Sequence, residues 1–149
     1  MEHTMVNDQV LQLVTFTLEK EEYAVNILNV QEINRINEIT RVPNAPDYVE
    51  GVINLRGKVI PVINLRKKFG LYNKETDESS RVIIMDIMGV TYGLIVDSVS
   101  EVLRIPSDIV EPPPPMASSM TSMYIKGIAK LENRLIIFVD IDKLLGQLE

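Results

Sequence analysis

Apolar and polar residues alternate loosely over residues 11–18, a stretch rich in Val, Thr and Phe, and a period of two predicts a strand with one buried face. Charged residues 19–22 predict a turn. Segments 23–27 and 30–36 continue as β-branched, extended chain, the second with an alternative reading as a helical turn at its start. In 43–51, Asn44 is placed to cap a short helix with Pro46 in its first turn and Gly51 near its end. Two apolar strands, 52–55 and 58–63, then meet at Arg56-Gly57, where glycine supplies the positive φ of a tight hairpin turn. The same pattern returns late in the chain: strands 128–131 and 134–139 meet at Glu132-Asn133, with Asn133 in the role of the positive-φ residue. A short amphipathic helix follows each hairpin, 65–69 and 141–148; Gly70 ends the first, and Gly146 falls inside the second.

The recurrence extends well beyond the hairpins. An offset of 69 carries Leu18 onto Ile87, Tyr23 onto Tyr92, Ala24 onto Gly93, Val30 onto Val99, Glu32 onto Glu101 and Ile33 onto Val102. An offset of 76 then carries Gly51 onto Gly127, Val59 onto Leu135, Ile60 onto Ile136, Asn64 onto Asp140 and Gly70 onto Gly146. The chain is one design used twice, over approximately 11–70 and 81–146, behind a flexible leader at 1–10. Each half supplies about five short strands, and a sheet of that size removes its exposed edges most simply by closing into a small barrel. The expectation is an all-β chain with short helices, a single domain over 11–149 made of two intertwined barrel subdomains side by side, with a groove along their seam.

Two loops interrupt the pattern: a polar, acidic one at 72–80, and 111–122, which holds Pro112 to Pro115 and the extra length of the second copy. Four prolines favour extended polyproline geometry, read here as a stiff connector in preference to a PxxP ligand.

Composition narrows the functions. A formal charge of -6 and a pI near 4.9, with scattered basic residues, argue against nucleic acid or an anionic membrane surface as partner. No cysteine is present, so disulfides, thiolate metal sites and a cysteine nucleophile are excluded. His3, the one histidine, lies in the polar leader, away from any patterned segment. Apolar runs are much shorter than the ~20 residues that span a bilayer, and the expectation is a soluble, cytoplasmic protein.

Candidate chemistry is sparse. Phosphate loops, dinucleotide fingerprints, zinc spacings and EF-hand loops are missing, and the serines at 118–122 have no histidine to act as base. Asp97 ends an apolar strand but has no basic partner that the sequence assigns, which reads as a turn former before a catalyst. Neither a metal nor a cofactor is expected. A small enzyme with a carboxylate site and a PxxP-linked adaptor remain as alternatives, behind a binding module.

With these residues placed, the chain resembles the chemotaxis coupling protein family, CheW. The likeness is carried by Glu22-Tyr23-Ala24-Val25, Val30-Gln31-Glu32-Ile33, Gly51-Val52-Ile53-Asn54-Leu55-Arg56-Gly57, Val59-Ile60-Pro61-Val62, Gly93-Leu94-Ile95-Val96-Asp97-Ser98-Val99 and Asp140-Ile141-Asp142-Lys143-Leu144-Leu145. The resemblance implies two five-stranded SH3-like barrels, no catalysis, and an adaptor that couples methyl-accepting chemoreceptors to the histidine kinase CheA, monomeric in isolation. A CheW-like module of a CheV- or CheA-type protein is the alternative within the same fold. Carried over by position, the resemblance assigns Val30, Glu32, Arg56, Val99 and Val102 to receptor binding and coupling, and Gly51, Arg56 and Lys58 to the kinase-facing surface. Arg56 on a hairpin tip is expected to pair with Glu32.

Overall fold

The computed structural model describes residues 9–113 and 121–146 of the 149-residue chain. The expectations of a leader at 1–10 and of a connector through Pro114 and Pro115 fall largely outside these residues. Eleven strands and two short α-helices are present among them: β1 (Val10–Leu18), β2 (Glu21–Asn26), β3 (Val30–Asn34), β4 (Val49–Leu55), β5 (Lys58–Asn64), α1 (Leu65–Lys68), β6 (Arg81–Ile87), β7 (Val90–Val96), β8 (Ser98–Pro106), β9 (Val110–Glu111), β10 (Ile125–Leu131), β11 (Arg134–Val139) and α2 (Ile141–Gly146). The all-β expectation with short helices holds.

The helix expected over 43–51 is not formed. Asn44 sits at φ 64°, in the left-handed region, whereas an N-cap residue is extended. Pro46 pushes Ala45 away from the helical region, so the segment makes only turns before β4 begins at Val49. Helix caps appear instead at Asn64 and its copy Asp140: Asn64 Oδ1 accepts from the Lys67 N–H at 3.2 Å, and Asp140 Oδ1 from the Lys143 N–H at 3.1 Å. The strand β1 also departs from expectation, being buried on both faces from Leu13 to Phe16. Thr15, its polar member there, is satisfied by donating to the Glu101 carbonyl at 3.0 Å and accepting the Glu101 N–H at 3.1 Å.

The strands form a six-stranded sheet in the order β8-β1-β2-β11-β10-β9 and a five-stranded sheet in the order β3-β6-β7-β5-β4. The compact units are Asn29–Val99 on one side and residues up to Leu28 together with those from Ser100 on the other. Neither unit is one repeat. β1 and β2 of the first repeat join strands of the second, and β6 and β7 of the second join β3 to β5 of the first. The repeats exchange strands: each sheet is completed by a parallel pair drawn from different repeats. In one sheet β11 lies beside β2 with Phe138 opposite Ala24, and in the other β5 lies beside β7 with Val62 opposite Gly93. The offsets of 76 and 69 carry one pairing onto the other.

Each sheet closes in a similar way. β8 bends into β9 through a 3-10 turn at Ser107–Ile109, so the two edges of the six-stranded sheet are arms of one stretch of chain. The chain leaving β3 instead returns to β4, where Thr40 and Val52 exchange N–H···O bonds of 2.9 and 2.8 Å. Apolar side chains at alternate positions fill each interior: Leu13, Ala24, Ile105, Ala129, Ile136 and Phe138 in one unit, and Ile60, Val62, Val82, Ile84 and Ile95 in the other. Each fully buried Val, Leu, Ile or Phe among them contributes about 1.5–3 kcal/mol, and the alanines less.

Candidate functional site

The hairpin joining β4 to β5 turns at Arg56 (φ 51°) and Gly57 (φ 86°). Both central residues have positive φ, the signature of the turn whose twist matches that of paired strands, and Asn54 Oδ1 locks it by accepting the Gly57 N–H at 2.9 Å. Glycine at 57 was legible in the sequence, but the left-handed arginine was not. Asn133 in the second hairpin is not among the positive-φ residues, so its expected role is not used there.

With its backbone held in this conformation, Arg56 reaches Glu32 on β3. Nη2 pairs with Oε2, and Nη1 donates to Oε1 at 3.4 Å. Asn34, two residues along the strand and so on the same face, donates to Oε1 at 3.1 Å. Hydrogen bonds from Arg56 first and Asn34 second hold the Glu32 carboxyl below its ordinary value, and Glu32 raises the guanidinium in turn. β3 and β4 are the two edges of the five-stranded sheet. The ion pair therefore ties β3 to the turn that follows β4, while the Thr40–Val52 bridge ties the chain leaving β3 to β4 itself.

The other site residues proposed from sequence are dispersed. Val30 is half-buried at the head of β3, opposite Met85 of β6, and Val99 is half-buried near the start of β8. Lys58 is exposed across the turn from Leu55. Gly51 is buried in β4 at a bulge, beneath the Thr40 carbonyl. These residues belong to the unit Asn29–Val99, whereas Val102, 51% exposed, lies in the other unit.

Several features escaped the sequence. Asp97 does have a basic partner, since Arg66 of α1 binds it through two hydrogen bonds. Arg134 donates to Glu22 at 3.0 and 2.9 Å and to Glu101 at 2.8 Å, which pushes its pKa up, with Glu22 as the larger cause. Glu101 is the copy of Glu32, and Arg134 is the copy of Lys58. Both units thus tie the duplicated glutamate to an arginine at a hairpin turn, from opposite sides of the turn. Exposed apolar residues are duplicated too, Ile33 with Val102 and Val59 with Leu135. The offsets of 69 and 76 were the signal that could have found these pairs. Among the described residues, no cluster of three His, Asp or Glu could hold a metal, and no helix is long and apolar enough to cross a membrane.

Comparison with known proteins adds the family. The model of the CheW-like domain matches residues 12–149. The chemotaxis protein CheW of Klebsiella aerogenes is 40% identical over 138 residues, 93% of this chain and 83% of that protein. CheW of Helicobacter pylori is 37% identical over 139 residues, 93% of this chain and 84% of that one. The crystal structure of the scaffolding protein TtCheW from Thermoanaerobacter tengcongensis superposes with a TM-score of 0.84 at 40% identity, covering 91% of this chain and 88% of its own. On fold, on sequence and on the segments that carry the likeness, the chain belongs to the CheW-like family of chemotaxis proteins.

Proposed function

We propose that this chain is a non-catalytic chemotaxis adaptor, acting in the cytoplasm, that couples the tips of methyl-accepting chemoreceptors to the histidine kinase CheA. The observation that carries this reading is the Arg56–Glu32 pair at the rim of the five-stranded sheet. A large residue held in a left-handed turn by a partner on another strand is a preorganised recognition element, and its guanidinium remains open to a further carboxylate. The glutamate accepts from Arg56 and Asn34 together, which fixes the shape of the rim more than it stabilises the fold. Val30 and Val99 of one unit, and Val102 of the other, are the residues assigned to receptor contact, while the exposed Arg56 and Lys58 are assigned to the kinase side, with the buried Gly51 shaping the strand that carries them. The net charge of -6 leaves nucleic acid out of the partner set. Relatives named CheW are covered over more than four-fifths of their length, which favours the adaptor over a module of a CheV- or CheA-type protein.

Reconstitution tests the proposal. A chemoreceptor fragment and CheA are combined with and without this protein, and kinase activity is followed as the receptor signalling state is changed. Receptor control is expected only when the protein is added; identical regulation in its absence would defeat the reading.

A further inference from the structure

Arg66 and Asp97 form a bidentate ion pair within the unit Asn29–Val99, with Nε donating to Oδ1 at 2.8 Å and Nη2 to Oδ2 at 2.6 Å. Their side chains are only 9% and 16% exposed. Removing both charges from water is costly, and even close geometry only about offsets the loss, so such a pair is weak support for stability. The duplication supplies an internal comparison. Offsets of 76 and 69 carry Arg66 onto Asp142 and Asp97 onto Leu28. The other unit therefore builds its helix, α2, and the 3-10 turn that follows β2 without an ion pair between these two positions. The same pattern is thus built once with this pair and once without it, which points to a role in fixing one local conformation.

The contacts show which conformation that is. Arg66 Nη1 donates to the Tyr72 carbonyl at 2.8 Å, and the Arg66 carbonyl accepts the Leu71 N–H at 2.8 Å, so the arginine is anchored at the start of the acidic loop. Asp97 lies between the last residue of β7 and the first of β8, and Ser98 and Val99 follow it directly. We infer that Arg66 is a positioning residue: acting through Asp97, it fixes the start of β8 and so the setting of Val99. The importance of Val99 rests on the coupling function proposed above; the mechanical role does not.

The test uses the full chain as wild type, as Asp97→Asn, and as the double variant Arg66→Met with Asp97→Leu, which substitutes apolar groups for both charges. Residue-resolved amide exchange is measured first. Ser98 and Val99 are expected to exchange at least tenfold faster in both variants, while Ile84 and Leu94 in the central strands are unchanged and the double variant melts within a few degrees of wild type. Binding to a chemoreceptor fragment is expected to weaken at least tenfold in both. Unchanged exchange at Ser98 and Val99 would overturn the inference, as would a double variant that cannot fold, since the architecture would then need the pair. Wild-type binding despite faster local exchange would overturn the link to Val99. If the wild type itself does not bind the fragment, the coupling function fails and the exchange rates alone decide the positioning role.

Discussion

Gly51 and Gly127 occupy the same place in two different sheets, each directly beneath the chain that closes it. A Cβ at Gly51 would stand 2.2 Å from the Thr40 carbonyl oxygen, and one at Gly127 would stand 2.5 Å from Val110 Cγ1 and 2.8 Å from the Glu111 carbonyl oxygen. The β4–β5 ladder shifts register between Val49 and Gly51, and the β10–β11 ladder between Ile125 and Gly127, so the bulge is duplicated with the glycine. Gly51→Ala combines this overlap with an unfavourable φ of 152° and is expected to cost about 3 kcal/mol. Gly57→Ala has open space around it and only the backbone penalty, about 1 kcal/mol. Urea denaturation of the two variants measures the difference.

Arg56→Glu is expected to leave the thermal midpoint nearly unchanged, because the pair it removes is at the surface. Its effect should appear in partner capture. Receptor or kinase pull-down is expected to weaken several-fold, and the exchange Glu32→Arg with Arg56→Glu should recover part of the loss if the clasp itself is recognised. Normal coupling by the single variant would remove Arg56 from the interface.

The pH dependence of the same pair has a definite sign. Glu32 is held below its ordinary value of 4.5 by Arg56 and then Asn34, so the folded chain releases this proton more readily than the unfolded chain. The contribution of the pair is fully present above pH 4.5 and is lost as pH falls through the lower folded value. Carbon-detected NMR titration should place the Glu32 midpoint below 4.5, and Arg56→Gln should move it upward by more than Asn34→Ala.

Arg134 stands between Glu22 and Glu101, and Arg134→Gln leaves two carboxylates facing each other without a cation. The variant is expected to melt below wild type at low ionic strength, with the gap narrowing as salt is added, since these groups are partly exposed. A gap independent of salt would assign the loss to packing of the arginine stem.

Met88 is 86% exposed and sits at φ 52° in the β6–β7 turn, beside Gly89 at φ 84°. Asparagine adopts that conformation far more readily, and Asn-Gly is a favoured pair for this turn. Met88→Asn should therefore stabilise the chain by about 1 kcal/mol, read from denaturant midpoints.

Local chemistry was enough to place the hairpin at Arg56-Gly57, the strands on either side of it, and the end of the first helix at Gly70. Those depend on alternation, on glycine's access to positive φ, and on contacts a few residues apart. The segment 43–51 misled for a related reason: Asn44 is both a helix cap and a residue tolerant of left-handed φ, and the neighbouring prolines favoured the second.

The sequence by itself determined that two copies of one strand pattern exist, and that Arg56 stands on a hairpin tip as a charge complementary to Glu32. Only the tertiary structure decided which strands complete which sheet, because parallel pairing between residues as distant as Ala24 and Phe138 leaves no trace in local periodicity. It also decided what Asp97 meets. An ion pair such as Arg66–Asp97 forms when separate elements are brought within hydrogen-bond reach, and a charge pattern along the chain does not state that distance.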